Sequence, residues 1–96
     1  MNTPAVLGYY ETLLNAPTFS NDSAGQNQAR RWKLLVDDVH NSASESDLRQ
    51  ARNKIEGYIL GLMDAGSLNQ DGERDYKILG SIHRRQEFLR KLLSTM

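Results

Sequence analysis

The sequence predicts an all-α protein: a small helical bundle of about four helices, dominated by a C-terminal antiparallel helical hairpin. Three observations lead there. Apolar residues recur at three- and four-residue spacing in four separate segments. Start and stop residues of the kind that cap helices punctuate those segments. No run alternates apolar and polar residues as a strand does, and Asp71-Gly72, a pair suited to a hairpin turn, has flanks of helical period.

The first helix is expected to start at Thr3-Pro4, with Thr as N-cap and Pro at the first helical position, where its missing N–H is harmless. Val6, Leu7, Tyr10, Leu13 and Leu14 give it an apolar stripe, and Asn15-Ala16-Pro17 ends it. Residues 16–27 are polar and turn-rich apart from Phe19, and read as a flexible linker. The second helix is predicted from about Gln28 to His40, buried along Ala29, Trp32, Leu35, Val36 and Val39. The third has the clearest start. Ser44 lies three residues before Asp47, and acidic residues fill the first turn, where the helix dipole favours them. Leu48, Ala51, Ile55, Tyr58, Ile59 and Leu62 form its core stripe, with Met63 on the flank, and Gly66 suits a left-handed C-terminal cap. The fourth is predicted from Asn69 or Gln70 to about Ser94, with Tyr76, Leu79, Ile82, Gln86, Leu89 and Leu93 inward and Ile78, Phe88 and Leu92 broadening the apolar surface.

Ninety-six residues make a single helical domain, 1–96, with a small core. Twelve basic and twelve acidic side chains cancel, so no global field draws the chain to nucleic acid or a membrane surface. The halves differ: residues 1–48 carry net −3 and residues 49–96 net +3. Without cysteine, disulfides, thiolate metal sites and a Cys nucleophile are excluded. The opening MNTPAVLGYYETLL lacks the basic start and long apolar run of a secretory signal, and no stretch approaches a membrane span. A cytoplasmic location is the expectation.

Ser67–Ile78 is the stretch closest to a known ligand motif. With Gly72 at position 6 of a calcium loop, Asn69, Asp71 and Asp75 occupy ligand positions 3, 5 and 9. Position 1 is then Ser67 and position 12 is Ile78, which has no oxygen to offer. The stretch reads instead as a turn in which Asn69 caps helix four, while Asp71, Glu73 and Asp75 complement its dipole. His40 and His83 have no second histidine or carboxylate at metal spacing; His40 ends helix two and His83 sits at the edge of the core. Asp37 and Asp38 point about 100° apart on a helix and do not share a proton. No metal, no cofactor and no enzymatic activity are expected. Gly57 and Gly61 lower helix propensity, which points to close approach of a neighbouring helix or of a partner protein.

What is left is surface. Arg30-Arg31-Trp32-Lys33 and the set Arg84, Arg85, Arg90 and Lys91 are the basic clusters, the latter expected to be exposed on helix four. In size and organisation the chain resembles the small helical accessory proteins of bacteria and mobile elements: regulators, anti-activators and inhibitors that act by binding. That resemblance and the residue pattern agree on a small non-enzymatic protein-binding module that regulates or inhibits a larger protein. The expected contact residues are the aromatics Tyr9, Tyr10, Trp32, Tyr58 and Tyr76, which supply anchor area, with Arg84, Arg85, Arg90 and Lys91 for an acidic partner surface. Homodimerisation is a further option. The alternative is a nucleic-acid-binding accessory protein or small transcriptional regulator using the basic C-terminal helix.

Overall fold

The computed structural model describes the backbone of residues 4–94 and the side chains of residues 8–94. Thr3 and the side chains of Val6 and Leu7 lie outside the described residues. Helix α1 spans Pro4–Leu14, α2 Ser23–His40, α3 Glu45–Asp64 and α4 Gly72–Ser94; among the described residues there is no strand. The protein is therefore the small all-α bundle that the periodicity predicts, and its two longest helices are the last two.

The C-terminus of α1 is closed by a side chain far away in sequence. Trp32, 1% exposed, donates its indole N–H to the carbonyls of Leu13 and Leu14, each at 3.1 Å. A helix leaves its last carbonyls without intrahelical partners, and one buried indole here serves two of them. Helix α2 starts at Ser23, five residues earlier than the apolar pattern indicated, so residues 23–27 of the expected linker are helical. Asp22 is the N-cap, accepting from the Gly25 amide at 2.8 Å and from the Ser20 hydroxyl at 2.6 Å. Gly25 is buried against Ser20, and a Cβ there would collide with the Ser20 carbonyl oxygen. Ala29, expected inside, is exposed.

Both signals read for α3 hold. Ser44 accepts from the Asp47 amide at 3.1 Å, and Gly66 takes φ +78°. Its amide donates to Met63 O at 3.0 Å and the next amide, of Ser67, to Leu62 O at 2.8 Å, the paired bonds of a left-handed C-terminal cap. At the start of α4 the cap is Asp71, not Asn69: its carboxylate accepts from the Arg74 amide at 3.1 Å. Asn69 contributes its carbonyl instead, to Arg74 Nη1 at 2.8 Å. Residues 67–78 thus form a turn followed by a helix start.

Helix α4 faces inward along Arg74, Ile78, Ser81, Ile82, Arg85 and Leu89. Relative to the expected stripe the helix is rotated by roughly 80°, leaving Tyr76, Leu79 and Leu93 exposed. His83, expected at the core's edge, is exposed as well, 3.7 Å from Glu87. Helix α1 lies along α4 and α2 along α3, while α3 and α4 touch less closely and leave a groove between them. The core joins Tyr9 and Leu13 of α1, Trp32, Val36 and Val39 of α2, Leu48, Ile55 and Ile59 of α3, and Ile78, Ile82 and Leu89 of α4. Gly57 and Gly61 make no close contact with another helix: among the described residues, nothing outside their own stretch of α3 lies within 4 Å of a Cβ built at either.

The glycines therefore separate by position. Gly25→Ala is expected to fray the first turn of α2 and to destabilise the protein by about 1–3 kcal/mol, because backbone must move to admit the methyl. Gly57→Ala with Gly61→Ala should stabilise by about 1–2 kcal/mol together, since both are exposed helix positions with room. Urea denaturation of the two variants reads opposite signs.

Candidate functional site: the faces of helix α4

The nine residues expected to contact a partner fall into distinct places. Tyr9 and Trp32 are core residues. Burial raises the Tyr9 phenol above its ordinary value, partly offset by the nearby Arg85 charge. The Tyr9 hydroxyl lies 2.5 Å from His40 Nδ1, and the Tyr9 and Tyr10 rings meet the His40 imidazole at centroid distances of 6.0 and 5.4 Å, the first tilted and the second edge-on. Tyr10 is half-buried and donates to Asp37 Oδ1 at 2.5 Å, while Lys33 reaches Asp37 Oδ2 at 3.0 Å. The Tyr10 hydrogen bond holds the Asp37 carboxyl below the usual carboxylate range, with Lys33 adding to it. Tyr58 is half-buried too, donating to Gln28 O at 3.3 Å, and burial raises its phenol. Four of the five aromatics thus fasten helices to one another. Tyr76 alone, 79% exposed, is presented outward.

The basic cluster also divides. Arg85 is buried at 8% exposure, which corrects the expectation that all four cations are on the surface. Its Nη2 donates to Ser42 O at 2.7 Å across the turn between α2 and α3. Ser42 is itself buried, with its hydroxyl bonded to Asp38 O at 2.8 Å. Arg85 Nε has no hydrogen-bond partner among the described residues, and the guanidinium lies over the Phe88 ring at 5.5 Å. Arg74, whose charge alone gives no sign of burial, repeats the arrangement at the other turn: 4% exposed, it reaches Asn69 O, Asp75 at 3.2 Å and the Met63 sulfur at 3.4 Å. Arg90 pairs with Glu45 at 2.6 Å, tying the end of α4 to the start of α3. That contact holds the Glu45 carboxyl below its usual range and raises the Arg90 guanidinium.

Arg84 and Lys91 are left as exposed cations seven residues apart on one side of α4, with Phe88 between them at 38% exposure. A second, separate feature lies where α4 meets α3. It is an open apolar groove of about 550 Å³ walled by Ile55, Ile59, Leu60, Met63, Ile78 and Leu79. Leu60 and Leu79 on its walls are more than half exposed. The sequence contained both features, but the second became visible only once the rotation of α4 was known. Among the described residues no group of three or more His, Asp or Glu is placed to hold a metal, and no helix is long and apolar enough to cross a membrane.

Two outcomes follow from these contacts. Arg85→Ala should cost about 2–4 kcal/mol in urea denaturation, since it strands the Ser42 carbonyl and opens a space, whereas Arg84→Ala should stay within about 0.5 kcal/mol. Equal effects would mean that Arg85 is not the clamp described. The depressed Asp37 contributes stability that is complete above its unfolded value near 3.8 and is lost as pH falls through its lower folded value. Tyr10→Phe removes the main cause, so the stability gap between the wild type and this variant should be full at pH 7 and narrow progressively below about pH 4.

No protein-family model, no curated protein and no solved structure matches the chain.

Proposed function

We propose that the protein is a small non-enzymatic binding module that regulates or inhibits a larger protein, and that it meets that protein with the Arg84–Phe88–Lys91 face of α4. The observation that supports this most is the support given to Phe88. The buried Arg85 guanidinium lies against its ring from within, and the two exposed cations flank it from outside. An aromatic held in place needs little ordering on association, and anchors of that kind carry much of the energy of protein interfaces. The complementary surface is acidic, with an apolar recess for one ring. Arg84 and Lys91 then speed encounter and set register more than they add affinity.

The nucleic-acid alternative draws on the same cations and has fewer of them than the sequence suggested. Arg85 is enclosed and Arg90 is engaged by Glu45, which leaves two exposed cations on that face for phosphates. Each phosphate contact contributes to affinity through counterion release, so two provide little.

The experiment compares the wild type with the Arg84→Glu/Lys91→Glu variant as immobilised baits in the same lysate. A mobility shift on a short duplex at low salt is run beside it. The expected result is a stoichiometric protein retained by the wild type and lost from the variant, with matching circular dichroism for the two baits. Equal retention on both baits refutes the assignment to this face. A duplex shift that falls steeply with salt and vanishes in the variant supports the nucleic-acid reading instead.

A further inference from the structure

The groove between α3 and α4 belongs to a face with an uneven charge. At its turn end, the groove walls carry Glu56 and Asp75, with the exposed Asp64 at the end of α3 beyond them. At its open end, the residues lining the seam are Arg49, Arg52 and Arg90 against Glu45, net +2. The two ends are held apart by the hairpin itself: Arg90 pairs with Glu45 at one end, and Arg74 reaches Met63 at the other. Along the seam, the apolar groove sits toward the acidic end, with Glu56 and Asp75 on its walls. A smaller recess of about 120 Å³ lined by Arg49, Arg52, Gln86 and Arg90 sits toward the basic end.

From this we infer that the α3–α4 face is a homodimer interface, in which two copies of the chain lie antiparallel across a two-fold axis perpendicular to the seam. A two-fold interface uses the same patch on both subunits. With the axis along the seam, the basic end would lie on the basic end. With the axis across it, each basic end meets the partner's acidic end, and the exposed Leu60 and Leu79 of both copies close over one another. The second copy thus satisfies both halves of the face, apolar and charged. Its size is sufficient. Helix α3 has 20 residues, about 30 Å of length, and two helices side by side are about 20 Å wide. The resulting plan of about 600 Å² per copy, with the relief of its side chains, approaches the roughly 800 Å² per partner of a standard interface. Arg84 and Lys91 do not line the groove or the recess, so the dimer and the face proposed for a larger partner are separate.

Sedimentation equilibrium of the full chain, from about 1 to about 500 µM, tests this. The wild type should follow a monomer–dimer equilibrium with a dissociation constant in the micromolar range or tighter. Leu60→Asp should be monomeric throughout with an unchanged helical spectrum, because Leu60 is 58% exposed and removing it spares the core. Arg49→Glu/Arg52→Glu and Glu56→Lys/Asp64→Lys should each weaken self-association by about tenfold or more. An equimolar mixture of those two variants should restore the dimer, since each mutated end then meets an opposite charge in the other chain. A monomeric wild type at every concentration overturns the proposal. So does a dimer indifferent to Leu60→Asp, or a mixture that stays monomeric. None of these results bears on the Arg84/Lys91 comparison, so the two readings fail separately.

Discussion

Two buried guanidiniums on α4 organise this protein. A buried guanidinium needs acceptors for its N–H groups, and Arg74 and Arg85 each find a turn carbonyl, to which Arg74 adds the Asp75 carboxylate and the Met63 sulfur. Arg74 holds the turn between α3 and α4 through Asn69, and Arg85 holds the turn between α2 and α3 through Ser42. Both turns are held by α4, the last helix of the chain. Helix α4 therefore sets the positions of its neighbours' ends as well as contributing Ile78, Ile82 and Leu89 to the core.

That arrangement has a consequence for the surface. A helix has one inward face, and polar groups placed on it displace apolar ones outward. With Arg74, Ser81 and Arg85 inside, Leu79 and Tyr76 are turned to solvent and a groove opens beside α3. The apolar surface on this small bundle thus follows from how its interior is satisfied. It is this surplus that the inferred second copy of the chain would cover.

Where the sequence was readable, a single residue type had a single local job. Ser44 and Gly66 announce the ends of α3 because a hydroxyl at an N-cap and a glycine at positive φ act within a few residues. The start of α2 was hidden because Ser23–Gln28 offers no apolar period, and the Asp22 cap looks like any other polar residue in a loop. The inward face of α4 was hidden for a stronger reason. Hydrophobic periodicity finds buried stripes only when they are apolar, and three of the six residues on this one are not. The site inherited that error, since Arg85 was assigned to the surface from its charge. Likewise Tyr9, Tyr10 and Tyr58 could not be told from anchors by type, because what decides is whether His40, Asp37 or Gln28 O stands opposite the hydroxyl. By contrast, the seven-residue spacing of Arg84 and Lys91 was legible, being a matter of helix geometry alone.

The bond from Trp32 to the end of α1 gives the molecule a built-in reporter. Trp32 is the single tryptophan of the chain, and its indole N–H is hydrogen-bonded to the carbonyls of Leu13 and Leu14 at the end of α1. Its fluorescence therefore responds to whether the first helix is seated. Circular dichroism, by comparison, averages over all four helices. Detachment of α1 with the remaining helices intact would shift the indole emission to the red while most of the helical signal persists, making a local opening visible separately from global unfolding.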